Sequence, residues 1–132
     1  MKVLVVDDSL AIQESLGHLL AAIPGVTVAG YAEDVAGALT GIRDLEPDLV
    51  VLDVELRGAD RGMDVLLHVV KEHPAVKVIV MSNFTWAAMR SGLLAAGALA
   101  YFDKGSEFLL ARDWVASFAR AHAHAHAHGP AP

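Results

Sequence analysis

The stretch VLVVDDSL, residues 3–10, runs four aliphatic side chains straight into two adjacent carboxylates, Asp7 and Asp8. Near-continuous β-branched runs of this kind suit parallel strands, whose two faces are both covered by helices. Two more runs follow the same rule: Leu49, Val50, Val51 and Leu52, which lead into Asp53, and Val78, Ile79, Val80 and Met81, which lead into Ser82. Residues 26–31 (VTVAGY) are more mixed and belong at a sheet edge, and residues 98–102 supply a fifth strand.

Between these runs the apolar period lengthens. Ile12, Leu16, Leu19, Leu20 and Ile23 share one helical face, which Pro24 and Gly25 close. Val35, Leu39 and Ile42 repeat the pattern behind Asp34, an N-cap residue, before Glu46, Pro47 and Asp48 interrupt it. Met63, Leu66, Leu67 and Val70 predict the core face of a third helix, ending near His73 and Pro74, with further helices over residues 85–96 and 106–121. The order βαβαβαβαβα predicts an α/β fold, a doubly wound five-stranded parallel sheet with helices on both faces. In the flavodoxin-like version of this architecture the strands lie in the order 2-1-3-4-5, and the crevice opens where strands 1 and 3 end.

A chain of 132 residues that is 55% hydrophobic and 20% charged can bury one core, so one domain is expected over residues 1–121, followed by a His/Ala-rich tail over 122–132. No apolar run approaches the roughly 20 residues that cross a bilayer, and the expectation is a soluble cytoplasmic protein without a membrane partner. A net charge of −6 with scattered Lys and Arg argues against direct nucleic-acid binding. The absence of cysteine rules out a disulfide framework and a thiolate metal site.

The predicted strand ends gather Asp7, Asp8 and Asp53 around one crevice. Two carboxylates about 4 Å apart repel by roughly 4 kcal/mol at an effective dielectric of about 20, so a cation belongs there. An all-oxygen donor set suits a hard ion, and a small set that leaves waters in place suits Mg²⁺ better than a Ca²⁺ cage. Ser82 and Lys104 arrive at the same edge from strands 4 and 5. A nucleophilic carboxylate, a divalent cation, a hydroxyl and a lysine are the parts that phosphoryl transfer requires.

Together the motifs VVDD, LVVLD, MSN and GALAYFDK resemble the receiver domain of bacterial two-component response regulators, in a chemotaxis-regulator-like, stand-alone form, over residues 1–120. The resemblance implies that Asp53 accepts a phosphoryl group from a histidine kinase or phosphotransfer protein. It implies Mg²⁺ held by Asp8 and Asp53, by the backbone carbonyl of Glu55, and by Asp7 partly through water. Lys104 and Ser82 would meet the phosphoryl oxygens, and Tyr101 would turn inward as Ser82 moves. The readout surface would be helix 4, strand 5 and helix 5, engaging a downstream protein. Such a domain promotes its own phosphorylation and dephosphorylation and is otherwise no enzyme. The chain stops just past the fifth helix, which suggests that no output domain follows.

Some positions depart from the family pattern. Gly105 follows Lys104 where the family has a cis proline, predicting a rearranged trans turn or a strained one. The loop from Glu55 to Gly62 lacks a proline and is one residue longer, Asn83 replaces a smaller residue, and Glu55 and Phe84 occupy positions that modulate attack of water. Two rival readings exist. A degenerate, phosphate-independent interaction module has no use for the carboxylate cluster, and a haloacid-dehalogenase-type phosphatase would carry a second aspartate rather than Glu55.

Trp86, Met89 and Leu93 run along the fourth helix, and Leu110 and Trp114 form a second stripe on the fifth beside a core stripe of Phe108, Val115 and Phe118. Core packing accounts for most of this, with homodimerisation through helices 4 and 5 as the alternative. In the tail, helical spacing pairs His122 with His126 and His124 with His128, which suits Ni²⁺ or Zn²⁺, yet the composition reads first as an affinity tag or disordered extension. His18, His68 and His73 read as surface residues.

Overall fold

A computed structural model of the chain describes residues 1–56, 60–83 and 86–127, with side chains up to residue 125 in the last segment. The order is β1 (Lys2–Val6), α1 (Leu10–Ala21), β2 (Thr27–Ala32), α2 (Val35–Leu45), β3 (Leu49–Asp53), α3 (Gly62–Glu72), β4 (Lys77–Ser82), α4 (Ala87–Ala95), β5 (Tyr101–Asp103) and α5 (Phe108–Ala127). The five strands are parallel, in the order β2-β1-β3-β4-β5. Both the fold class and the edge position of β2 are as the sequence predicts.

Alternation along the strands splits the core into two layers. Leu4, Val6, Val50, Leu52, Val78 and Val80 point to the side covered by α2, α3 and α4, where Ile42, Leu66, Val69 and Leu93 meet them. Val3, Val5, Val51, Ile79 and Met81 point to the other side, against Leu16 and Leu20 of α1 and Ala111, Val115 and Ala119 of α5. Burial of both faces explains why the strand runs are continuously apolar. Local signals fix the helix starts: Ser9 Oγ accepts the Ile12 N–H at 3.3 Å, and Asp34 Oδ1 accepts the Gly37 N–H at 2.7 Å.

Some expected boundaries and faces shift. On α3 the buried face is Gly62, Val65, Leu66 and Val69, with Met63 half-buried, while Leu67 and Val70 are exposed. Aliphatic runs at 65–67 and 69–70 leave the sequence open to two phases, and packing against β3 and β4 selects the other one. The fifth strand spans Tyr101–Asp103 rather than starting at residue 98: Gly97 (φ +120°) and the Ala98 N–H to Leu93 carbonyl bond hold residue 98 against the end of α4, and Leu99 and Ala100 make the first backbone hydrogen bonds to β4. Helix α5 continues past residue 121 to Ala127, consistent with the high helix propensity of alanine.

Trp114 is not part of a free stripe. It packs half-buried on the second core layer and stacks on Phe118, with ring centroids 5.1 Å apart, and the large apolar side chains exposed among the described residues of α5 are Leu109 and Leu110. Phe108 and Phe118 are half-buried, and Ala111 and Ala119 complete the core stripe around Val115. All peptide bonds among the described residues are trans, so Gly105 follows Lys104 in a trans turn. Arg57, Gly58, Ala59, Phe84, Thr85 and His128 lie outside the described residues, as does the side chain of His126.

Candidate functional site

The carboxyl ends of β1, β3, β4 and β5 deliver the polar residues to one edge. Asp53 is the last residue of β3 and Ser82 the last of β4, while Asp7 follows β1 and Lys104 follows β5. Asp7, Asp53, Ser82 and Lys104 are the buried polar side chains among the described residues. A chain that buries charge must pair it. Lys104 Nζ stands 2.6 Å from Asp7 Oδ2 and 2.9 Å from Asp53 Oδ2. The sequence reading assigned Lys104 to phosphoryl oxygens; here it spans the two carboxylates.

The remaining oxygens are also engaged. Asp7 Oδ1 accepts the Ser9 N–H at 2.9 Å, and Asp53 Oδ1 accepts the Glu55 N–H at 3.1 Å. The Gln13 side-chain amide donates to the Asp7 carbonyl at 2.7 Å. Ser82 Oγ donates to Glu55 Oε1 at 3.1 Å. Tyr101 is already inside, its ring buried, with its hydroxyl 4.0 Å from Met89 Sδ and the Arg90 guanidinium 5.8 Å from the ring centre. Inward Tyr101 thus coexists with Ser82 bound to Glu55. Asn83 is exposed.

Burial is the largest influence on Asp53 and pushes its carboxyl up to about 6, against the opposing hydrogen bond and charge of Lys104; the Asp7 charge adds to the rise and the Glu55 N–H works against it. For Lys104 burial pulls downward, but hydrogen bonds and charges from Asp7 and Asp53 outweigh it and hold the ammonium above its ordinary value. The lysine stays charged, and the Asp53 carboxyl gives up its proton at a higher pH than an ordinary aspartate.

Carboxylate oxygens of Asp7, Asp8 and Asp53 all lie within 4.8 Å of one another. With one ammonium among three carboxylates the ionised cluster carries a net charge of 1 − 3 = −2, which a divalent cation matches, and the donors are all hard oxygens. Glu55 contributes its N–H to Asp53, and its side chain lines a groove of about 760 Å³ with Arg61, Met63 and Met89.

Sequence reasoning placed Asp7, Asp8, Asp53, Ser82 and Lys104 at one edge, where they lie, and missed three contacts: Lys104 with Asp7, Ser82 with Glu55, and Gln13 with the Asp7 backbone. It also missed that Asp103 Oδ1 accepts the Gly105 and Ser106 N–H groups at 2.6 and 3.1 Å. The Asp-Lys-Gly-Ser order signals such a turn, since aspartate commonly caps the backbone two residues on.

Residues 3–110 match the family described as the response regulator receiver domain. The chain belongs to that family, whose members are receivers of two-component systems. It is 34% identical over 106 residues to the response regulator GacA of Pseudomonas syringae pv. syringae, covering 80% of this chain and 49% of that protein. It is 38% identical over 106 residues to a protein-glutamate methylesterase/protein-glutamine glutaminase of Chromobacterium violaceum, covering 79% of this chain and 29% of that protein. The chain spans about half the length, or less, of the curated relatives it matches. Among solved structures, the response regulator domain of Thermotoga maritima CheB superposes with a TM-score of 0.79 at 26% identity, covering 92% of this chain and 94% of that one. The receiver domain of NarL from Mycobacterium tuberculosis gives 0.81 at 28% identity, covering 90% and 95%. No helix among the described residues is long and apolar enough to cross a membrane.

Proposed function

We propose that the chain is a phosphoacceptor: Asp53 takes a phosphoryl group from a histidine kinase or phosphotransfer protein, and the change is passed to a downstream protein. The observation that carries this is a single one. Asp53 is buried at the end of β3, with Lys104 Nζ 2.9 Å away and two further carboxylates within 4.8 Å. The working compartment is the cytoplasm, where such donors reside, with residues 1–121 as the receiver and 122–132 as a tail.

An Asp53 carboxylate oxygen attacks phosphorus in line, the bond to the donor breaks, and its electron pair leaves with the donor. Asp8, Asp53, the backbone carbonyl of Glu55 and, partly through water, Asp7 would hold Mg²⁺, which would supply positive charge to the phosphoryl oxygens. Lys104 moves from the Asp53 carboxylate to the new oxygens, and Ser82 turns its hydroxyl toward one of them. Both are drawn inward, which couples the site to Tyr101, α4, β5 and α5. On that surface Trp86 and Leu110 are 64% and 55% exposed, a face suited to a protein partner, including a second copy of this chain. Turnover is confined to its own acyl phosphate.

The test is incubation with Mg²⁺ and a small phosphodonor, followed by intact-mass spectrometry. One added phosphoryl group in the parent and none in Asp53→Ala is the expected result; equal labelling of the variant refutes the assignment.

A further inference from the structure

We infer that the Glu55 side chain is a latch that holds Ser82 in the resting state, so that phosphorylation must break the Ser82–Glu55 hydrogen bond before the switch can close. This rests on the reading of Asp53 as phosphoacceptor. A serine hydroxyl has one proton to donate. Ser82 gives it to Glu55 Oε1 at 3.1 Å, in a site where Ser82 is fully buried and Glu55 half-buried. A phosphoryl oxygen on Asp53 competes for the same proton.

The position of Glu55 makes the competition direct. Its backbone N–H is bound to Asp53 Oδ1 at 3.1 Å, so the residue that restrains Ser82 is itself tied to the proposed phosphoacceptor. A phosphoryl group there brings negative charge toward the Glu55 carboxylate, which repels it. The displaced side chain has somewhere to go, because Glu55 already lines the groove of about 760 Å³ that Arg61, Met63 and Met89 share. Arg61 is also the residue opposite Glu55 in an isolated antiparallel bridge. Two arrangements of Glu55 follow, one on Ser82 and one in the groove, and the phosphoryl group biases between them. Glu55 acts through Ser82 and is therefore a positioning residue.

Beryllofluoride with Mg²⁺ serves as the phosphoryl mimic, and its affinity is read by calorimetry in the parent, Glu55→Gln, Glu55→Ala, Ser82→Ala, and the two Glu55 substitutions combined with Ser82→Ala. Glutamine removes the charge yet keeps an oxygen that accepts from Ser82; alanine removes both. Glu55→Ala is expected to bind about tenfold tighter than the parent, the scale of one charge-assisted hydrogen bond. Glu55→Gln should fall between them, and the difference between Gln and Ala should vanish once Ser82 is alanine. Equal or weaker binding by Glu55→Ala overturns the latch, as does a Gln-to-Ala difference that survives Ser82→Ala. If the parent shows no saturable binding, the phosphoacceptor reading falls and the latch with it.

Discussion

Lys104 Nζ lies 2.9 Å from Asp53 Oδ2, and the two side chains are only 5% and 3% exposed. A buried ion pair adds little net stability when whole, but removing one partner strands the other charge. Lys104→Met should therefore cost about 3 kcal/mol in metal-free buffer at neutral pH. Mg²⁺ should restore more stability to the variant than it adds to the parent, because it replaces the lost positive charge. Thermal unfolding with and without Mg²⁺ measures both, and an unchanged melting temperature would count against the pairing.

The Asp53 carboxyl is raised from its ordinary 3.8 to about 6. Folding thus favours its protonated form, and the stabilisation is fully present below about pH 4 and lost as pH rises through about 6. A shift of this size corresponds to about 3 kcal/mol as an upper scale. Other carboxylates have their own slopes, so the useful quantity is the difference between Asp53→Asn and the parent. In metal-free urea unfolding the variant's advantage should grow between about pH 4 and pH 6, and a flat difference would contradict the burial argument.

Gly62 opens α3 with no room for a side chain. A Cβ there would collide with the Asp53 carbonyl oxygen and stand 2.8 Å from Val54 Cα, both parts of the backbone that carries the proposed phosphoacceptor. Neither neighbour can swing away as a side chain tip would. Gly62→Ala should destabilise by about 2 kcal/mol and lower the labelling yield at Asp53. Chemical denaturation and mass spectrometry would read these, and a neutral effect on both would show that the strand end yields.

The two apolar residues proposed for one stripe of α5 should behave differently. Trp114 packs on the core and on Phe118, whereas Leu110 is 55% exposed. Trp114→Asp should cost about 2 kcal/mol or more, and Leu110→Asp should stay within about 0.5 kcal/mol. Leu110→Asp is therefore the clean probe for self-association, by sedimentation of the phosphorylated chain.

The sheet was legible because parallel strands buried on both faces leave unbroken aliphatic runs, and their ends place Asp7, Asp53 and Ser82 at one edge. Lys104 was found the same way, one residue past Asp103. Less visible were features set by packing. Leu67 and Val70 are as apolar as Leu66 and Val69, and only the sheet decides which pair is covered. The bridge from Lys104 to Asp7 and the bond from Ser82 to Glu55 depend on side-chain reach across strands, which periodicity does not encode. The persistence of α5 to Ala127 reflects alanine propensity, in a segment whose repetitive composition suggested no fold.

Where the phosphoryl group becomes attached tests the account most directly. After treatment with Mg²⁺ and a small phosphodonor, borohydride reduction converts an aspartyl phosphate to homoserine, which peptide mass spectrometry locates. Homoserine is expected at position 53 alone. Reduction at Asp7 or Asp8, or stable label on a histidine of the tail with Asp53 intact, would contradict the assignment of Asp53 as the phosphoacceptor.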